Sequence, residues 1–233
     1  MIDIKVYELN FAIYLLKDID YPNLNGEINK LIDKCFIHNE KMKKFHENNS
    51  YKFYCFNSLY PLEKDKIYKE GNIYNLTIRT IDIDLFNYFK KYLANEYTDS
   101  MKGLVIKSKE ILERFIEKVY SITPIILKFG NGYWKTNNNV AVFEKRIKEN
   151  LIKKYNSFFN EKIDENTEIF RYIKLENQKP IPIKYKNILL LGDKVTIEFA
   201  ENEVAQKLAY IAIGCSLGEM GSRGMGYCNY KWI

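Results

Sequence analysis

The chain has 233 residues, 46% hydrophobic and 15% aromatic, and carries 36 Lys and Arg against 30 Asp and Glu, a net charge of +6. That much apolar material excludes wholesale disorder and suffices for one large domain or two of roughly 100–120 residues. The positive balance favours an anionic partner without specifying one.

No apolar run approaches the roughly 18 residues that a membrane-spanning helix requires, and Asp3 and Lys5 interrupt the start of the chain. A soluble, cytoplasmic protein with no membrane partner is therefore expected. Cys35, Cys55, Cys215 and Cys228 lie far apart and form no CxxC pair. Reduced, packed thiols and no metal site are the expectation.

The segment from Ile2 to Leu16 is rich in strand formers. Ile2, Ile4 and Val6 hold one phase and Leu9, Phe11 and Ile13 the other, which predicts a β-bulge near Tyr7 and Glu8. Leu24, Ile28, Leu31, Ile32 and Cys35 then recur at helical spacing. That helix is expected to fade into a polar loop from His38 to Ser50. Tyr51 to Phe56 and Gly71 to Ile81 read as strands. Asp82 or Asp84 caps a helix with Leu85, Phe86, Phe89 and Leu93 on its buried stripe, and Gly103 to Lys109 forms a fourth strand. The order β-α-β-β-α-β is the ferredoxin-like motif.

The second half repeats the order. Val119 to Phe129 is predicted as a strand with Pro124 inside it, followed by a Gly- and Asn-rich turn from Gly130 to Asn139. Phe143, Ile147, Leu151, Tyr155 and Phe158 form a helical stripe. Strands follow at Ile169 to Leu175, Ile181 to Tyr185, Ile188 to Leu191 and Lys194 to Phe199. A helix runs through Val204, Leu208 and Ile211, and Tyr227 to Trp232 is the last strand. The expected fold is α+β, two tandem ferredoxin-like domains spanning residues 1–115 and 116–233 and packed tightly together.

Near the C-terminus, Gly214, Gly218, Gly221, Gly224 and Gly226 leave a backbone able to adopt positive φ and approach a ligand closely. Amides there can hold phosphate oxygens, with Arg223 adding a charge-assisted pair; steric relief in a tight connection is the alternative. The loop follows a helix and precedes a strand, the reverse of a dinucleotide-binding loop, and it lacks the Gly-Lys-Ser/Thr ending of a nucleotide-phosphate loop.

Ser216-Leu217-Gly218, a five-residue stretch ending in Arg223, and Gly224-Met225-Gly226 resemble the C-terminal signature of the CRISPR-associated repeat-cleaving endoribonucleases of the RAMP superfamily. Ser216 stands where the first glycine of that signature is expected. Phe45-His46-Glu47, Lys52 and the Phe53-to-Leu59 strand, together with Ser121-Ile122-Thr123-Pro124-Ile125, match two further regions in the expected order. The resemblance implies a metal-independent endoribonuclease acting on CRISPR repeat RNA. In such an enzyme the RNA 2′-hydroxyl attacks its own phosphate, giving a 2′,3′-cyclic phosphate and a 5′-hydroxyl.

The resemblance further implies catalytic roles for His46 and Lys52, and RNA binding by Ser216, Leu217, Gly218, Ser222, Arg223, Gly224 and Gly226. His38 is a secondary candidate. The tyrosine that many relatives carry on the first helix is missing; Tyr21, Tyr51 or His38 are possible substitutes, and no general base is assigned. Lys145 and Arg146, with Lys148, Lys153 and Lys154, lie away from the apolar stripe of their helix. They form either a solvated face or a phosphate track for an A-form stem. Tyr133 and Trp134 serve either as stacking platforms for unpaired bases or as core and turn residues. No cofactor is implied. Precursor and mature repeat RNA are the expected partners, with subunits of a CRISPR interference complex as further ones, and the state is monomer or homodimer. A non-catalytic RNA-binding RAMP subunit is the alternative, and a ferredoxin-like small-molecule regulator a third reading.

Overall fold

The computed structural model describes residues 4–130 and 132–233. Ile2 in the first expected strand and Asn131 in the expected turn lie outside them. The elements in chain order are β1 (Val6–Leu15), β2 (Ile19–Asp20), α1 (Tyr21–Cys35), α2 (Glu40–Glu47), β3 (Tyr54–Phe56), β4 (Ile67–Tyr68), β5 (Ile73–Thr80), α3 (Ile83–Tyr92) and β6 (Met101–Ile111). There follow β7 (Ile116–Ser121), α4 (Val140–Phe159), β8 (Phe170–Leu175), β9 (Ile181–Tyr185), β10 (Ile188–Gly192), β11 (Val195–Phe199), α5 (Glu203–Cys215) and β12 (Cys228–Trp232).

Two antiparallel four-stranded sheets result, in the orders β3-β5-β1-β6 and β12-β7-β11-β8. Numbered within each half, both read 2-3-1-4 or its reverse, the ferredoxin-like arrangement. A separate hairpin, β9–β10, is inserted between the second and third strands of the second sheet.

The change of phase along β1 is not a bulge at Tyr7 and Glu8. Pairing with β5 runs without a break from Tyr7 to Tyr14. The second face is instead buried at the start of the strand, at Val6 and Glu8. Leu9, Phe11 and Ile13 point into the core under α1 and α3, whereas Ile4 and Val6 join the core of the second half. The irregularity in β1 falls between Phe11 and Ile13, against β6.

Ile81 and Ile111 also enter the second core, so the two halves share one apolar body. Its axis is α5, buried from Ala205 through Cys215 except at Lys207, which reaches out to Glu203, with Gln206 the one polar residue enclosed. A helix that is apolar all round needs cover on every side, and α5 finds it between the two sheets. At Gly214 the approach is so close that a Cβ would stand 2.6 Å from Ile81 Cγ2 and 3.2 Å from Val6 Cγ2. The glycine-rich segment leaves the end of this clamped helix, which fixes where it meets the first half.

Two local expectations change. The stretch from His38 to Ser50 is not a loop: Glu40–Glu47 is helical, because Asn39 caps it by accepting from the amides of Lys41 and Met42, and Met42 and Phe45 pack on the first core. The strand expected across Pro124 stops at Ser121. Proline has no amide to continue the ladder, and the carbonyl of Pro124 instead accepts from Gly226 N at 2.9 Å.

Candidate functional site

The site forms where α1, the end of α2 and the glycine-rich loop meet. Asn25, Asn29 and Asp33 recur every fourth residue and so share one stripe of α1. All three engage Arg223, from 190 or more residues away in the chain. Asn25 Nδ2 donates to the Arg223 carbonyl at 2.8 Å, and the guanidinium Nη1 donates to Asn29 Oδ1 at 3.3 Å. The same nitrogen lies 2.8 and 2.6 Å from the two carboxylate oxygens of Asp33. Arg223 is therefore a half-buried, ion-paired cation. Burial disfavours its charge, but the Asp33 carboxylate outweighs that and holds its pKa above the ordinary value.

His46 lies on the last turn of α2, with Nε2 3.7 Å from Asp33 Oδ1 and its ring stacked on Phe36 at 4.9 Å. Burial depresses the imidazole pKa below its ordinary value of 6.5. The Asp33 carboxylate opposes that effect, and the Arg223 and Lys52 charges reinforce it. The net effect favours neutral imidazole, the form that can take up a proton. Lys52 folds back on the C-terminus of α2, donating to the carbonyls of Phe45 and of Asn48, the latter at 2.6 Å. A cation there complements the helix dipole. Burial, and then Arg223, lower the Lys52 pKa. Imidazole, ammonium, guanidinium and carboxylate thus share one small region.

Beside it, a cleft of about 390 Å³ runs between Tyr51 and Lys52 on one side and Lys128, Gly218, Gly221 and Ser222 on the other. The loop on its far wall is held from beneath by Lys154. That residue is 4% exposed, and its ammonium reaches the carbonyls of Cys215, Ser216 and Gly218 at 3.1, 2.8 and 2.7 Å. Burial pushes its pKa down to about 8. Lys154 is therefore not part of an outward basic face, contrary to expectation: the helix turns it under the loop, where three carbonyls replace water.

Arg146 is also engaged, with Nη2 2.7 Å from Glu219 Oε1 of the loop, while Lys145 is exposed on the same helix. Within the loop, Ser216 has φ of 74° and ψ of 160°, and Gly218, Met220, Gly224 and Gly226 also have positive φ. The amides of Leu217, Gly224 and Gly226 are spent on the carbonyls of Gly226, Gly221 and Pro124.

Some other candidates lie apart from this cluster. His38 pairs with Glu96 Oε2 at 2.7 Å and stacks on Tyr92. Trp134 is 3% exposed, donates Nε1 to the buried carboxylate of Asp193 at 2.7 Å and packs on Phe143. Tyr133 donates to the same carboxylate at 2.8 Å, so this pair belongs to the core and turn. Tyr21 starts α1, and Tyr51 lines the cleft. Asp33 is the residue that sequence reasoning missed, and Lys154 the one it placed on the wrong face. The every-fourth-residue polar stripe on α1 was visible; its partner was not.

A family model for the C-terminal part of the CRISPR-associated protein Cas6 matches residues 106–230. A CRISPR-associated endoribonuclease Cas6 of Methanocaldococcus jannaschii is 28% identical over 207 residues, 79% of this chain and 76% of the relative. A second from the same organism is 24% identical over 232 residues, 91% and 95% of the two chains. Among solved structures, a RAMP protein that binds different RNA substrates superposes with a TM-score of 0.72 at 19% identity, covering 97% of this chain and 99% of that one. Thermus thermophilus Cas6 superposes at 0.61 and 14%, covering 98% and 99%. These two share the fold. The family match takes in more than half of the chain, including β7 to β11, α5 and the glycine-rich loop, and the chain belongs to the Cas6 family of CRISPR-associated proteins.

Proposed function

We propose that this chain is a metal-independent endoribonuclease that cuts CRISPR repeat RNA in a precursor transcript. The observation that carries the reading is the juxtaposition of His46, Lys52 and Arg223 around Asp33, at the edge of a cleft walled by the glycine-rich loop. RNA supplies its own nucleophile, so the protein has to align the strand, move two protons and offset one added negative charge.

His46, kept neutral by burial, accepts the 2′-hydroxyl proton as the 2′-oxygen bonds to phosphorus. The bond from phosphorus to the 5′-oxygen breaks, and that oxygen takes a proton from the Lys52 ammonium. The products are a 2′,3′-cyclic phosphate and a 5′-hydroxyl, and solvent returns both side chains to their starting states. Arg223 and Ser222 hold the strand, with Lys145 and Arg146 beside them, while Ser216, Leu217, Gly218, Gly224 and Gly226, expected to bind RNA directly, are buried and shape the loop that presents those two. On this reading residues 1–115 carry the proton-transfer groups and 116–233 the RNA-positioning loop.

The test is incubation with repeat RNA in EDTA, comparing wild type, His46→Ala and an RNA with a 2′-deoxy nucleotide at the cut. Cleavage by wild type of the all-ribo RNA alone is expected, with retained binding throughout. Loss of wild-type cleavage in EDTA would overturn the metal-independent step, and binding without any cleavage would point to a purely RNA-binding subunit.

A further inference from the structure

A second cavity, of about 250 Å³, lies on the other side of the Arg223 backbone, between the first turns of α1, the β9–β10 hairpin and Met225 of the loop. Its walls are mainly apolar, with Tyr21 and Met225 from one side and Ile183 and Leu189 from the hairpin. Polarity comes from Ser58, Thr123, Lys184 and two amides. Asn25 spends Nδ2 on the Arg223 carbonyl, and Asn57 spends Oδ1 on the amide of Thr77 at 2.8 Å. Among the described residues no hydrogen bond engages Asn25 Oδ1, which lies against Gly224, or Asn57 Nδ2, on a side chain that borders both this cavity and the groove beside Thr77, so an acceptor and a donor stand unpaired at the cavity wall. The hairpin is a two-stranded sheet of its own, and it leaves Leu189 66% exposed and Tyr21 51% exposed at the mouth.

The geometry points to this cavity as a receptor for a single unpaired nucleobase of the RNA, flanking the cut. An apolar slot beside a tyrosine ring suits a flat π-surface, and every base carries both a donor and an acceptor on its pairing edge. The position suits the role. Asn25 and Asp33 stand on one stripe of α1, eight residues or about 12 Å apart, and Tyr21 is one turn further, about 18 Å from Asp33, so a strand with its phosphate at His46 brings a base a few nucleotides along to Tyr21. Asn25 and Asp33 are both fastened to Arg223, through its carbonyl and its guanidinium.

This inference rests on the RNA-binding part of the reading above and not on the cleavage step. The test uses the full chain and a set of repeat RNAs, each with one abasic site at a position around the cut. Equilibrium affinity and cleavage rate are both measured, for wild type and for Ile183→Trp, which fills the slot; Leu189→Trp repeats the test should Ile183→Trp misfold. One abasic position should weaken wild-type binding at least about tenfold, the scale of one base-stacking contact. The filled variant should bind intact RNA as weakly as wild type binds that abasic RNA, with no further loss on it. Equal affinity for all abasic RNAs, or losses that simply add in the filled variant, would overturn the slot. An RNA bound with this pattern but never cut would leave the slot standing and remove the nuclease.

Discussion

His46 is pulled in two directions by its neighbours. Partial burial favours the neutral ring, Asp33 at 3.7 Å favours the charged one, and the Arg223 and Lys52 charges oppose it. The balance makes Asp33 and Arg223 separable by experiment. Asp33→Asn removes the larger of the two carboxylate influences that raise the His46 pKa, the other being Glu47, so the midpoint of its titration should move to lower pH. Arg223→Ala removes one that lowers it and leaves Asp33 unpaired beside the ring, so the midpoint should move to higher pH. An NMR titration of the free protein, with His38→Gln to assign the second imidazole, reads both shifts. The acidic limb of kcat/KM should move in the same directions. His46→Ala should reduce cleavage by about 10²- to 10⁴-fold, the range for losing a positioned proton-transfer group. Shifts of equal sign in the two variants would show that the ring does not sense this ion pair.

At the scale of elements, the glycine-rich loop depends on backbone conformations as much as on side chains. Ser216 occupies φ of 74° and ψ of 160°, a region that glycine enters freely and that costs other residues about 1–3 kcal/mol. Ser216→Gly should relieve that strain while adding about 0.5–1 kcal/mol of unfolded-chain entropy and losing a long 3.4 Å contact from Oγ to Lys154. A net stabilisation of about 1 kcal/mol in urea unfolding is expected; a destabilised variant would mean that the hydroxyl holds the loop. The departure at Ser216 was visible in the sequence because glycine has a recognisable place there. The α2 helix was not. It has only Met42 and Phe45 as apolar anchors, and its stability comes from packing and the Asn39 cap. The strand and helix order of both halves was legible from periodicity because each element keeps one face to a core. It misplaced the irregularity of β1, where apolar residues of both phases are buried, since reading a phase change as a bulge assumes one solvent face. Asp33 read as one more solvated charge because its partner lies 190 residues on.

For the whole molecule, the site exists only while the two halves stay in register, since α1 and α2 come from one and the loop from the other. One buried contact at their junction can be tested directly. Arg79 on β5 donates Nε to Glu8 on β1 at 2.8 Å, reaches the Cys228 carbonyl and Asn229 Oδ1 on β12 at 2.5 and 3.2 Å, and lies over the rings of Tyr227 and Tyr230. Burial pushes the Glu8 carboxyl up, and Arg79 with Lys109 pulls it down further, so its folded pKa ends below the ordinary 4.5. A depressed carboxylate contributes stability above its unfolded pKa and loses it as pH falls through the folded one. Arg79→Met keeps much of the volume but strands Glu8 in the interior with Lys109 as its remaining cation. The expected loss at pH 7 is about 3–5 kcal/mol, the scale for breaking a buried pair from one side. That loss should shrink below about pH 4.5, where protonation of Glu8 removes the stranded charge. Urea unfolding of both proteins across this range decides the point. A deficit that stays constant with pH would assign the role of Arg79 to its packing on Tyr227 and Tyr230 and its bonds to β12, with no part for the ion pair. Cleavage by Arg79→Met should fall in step with its folded fraction, because a loop carried by a displaced second half cannot bring Arg223 to Asp33.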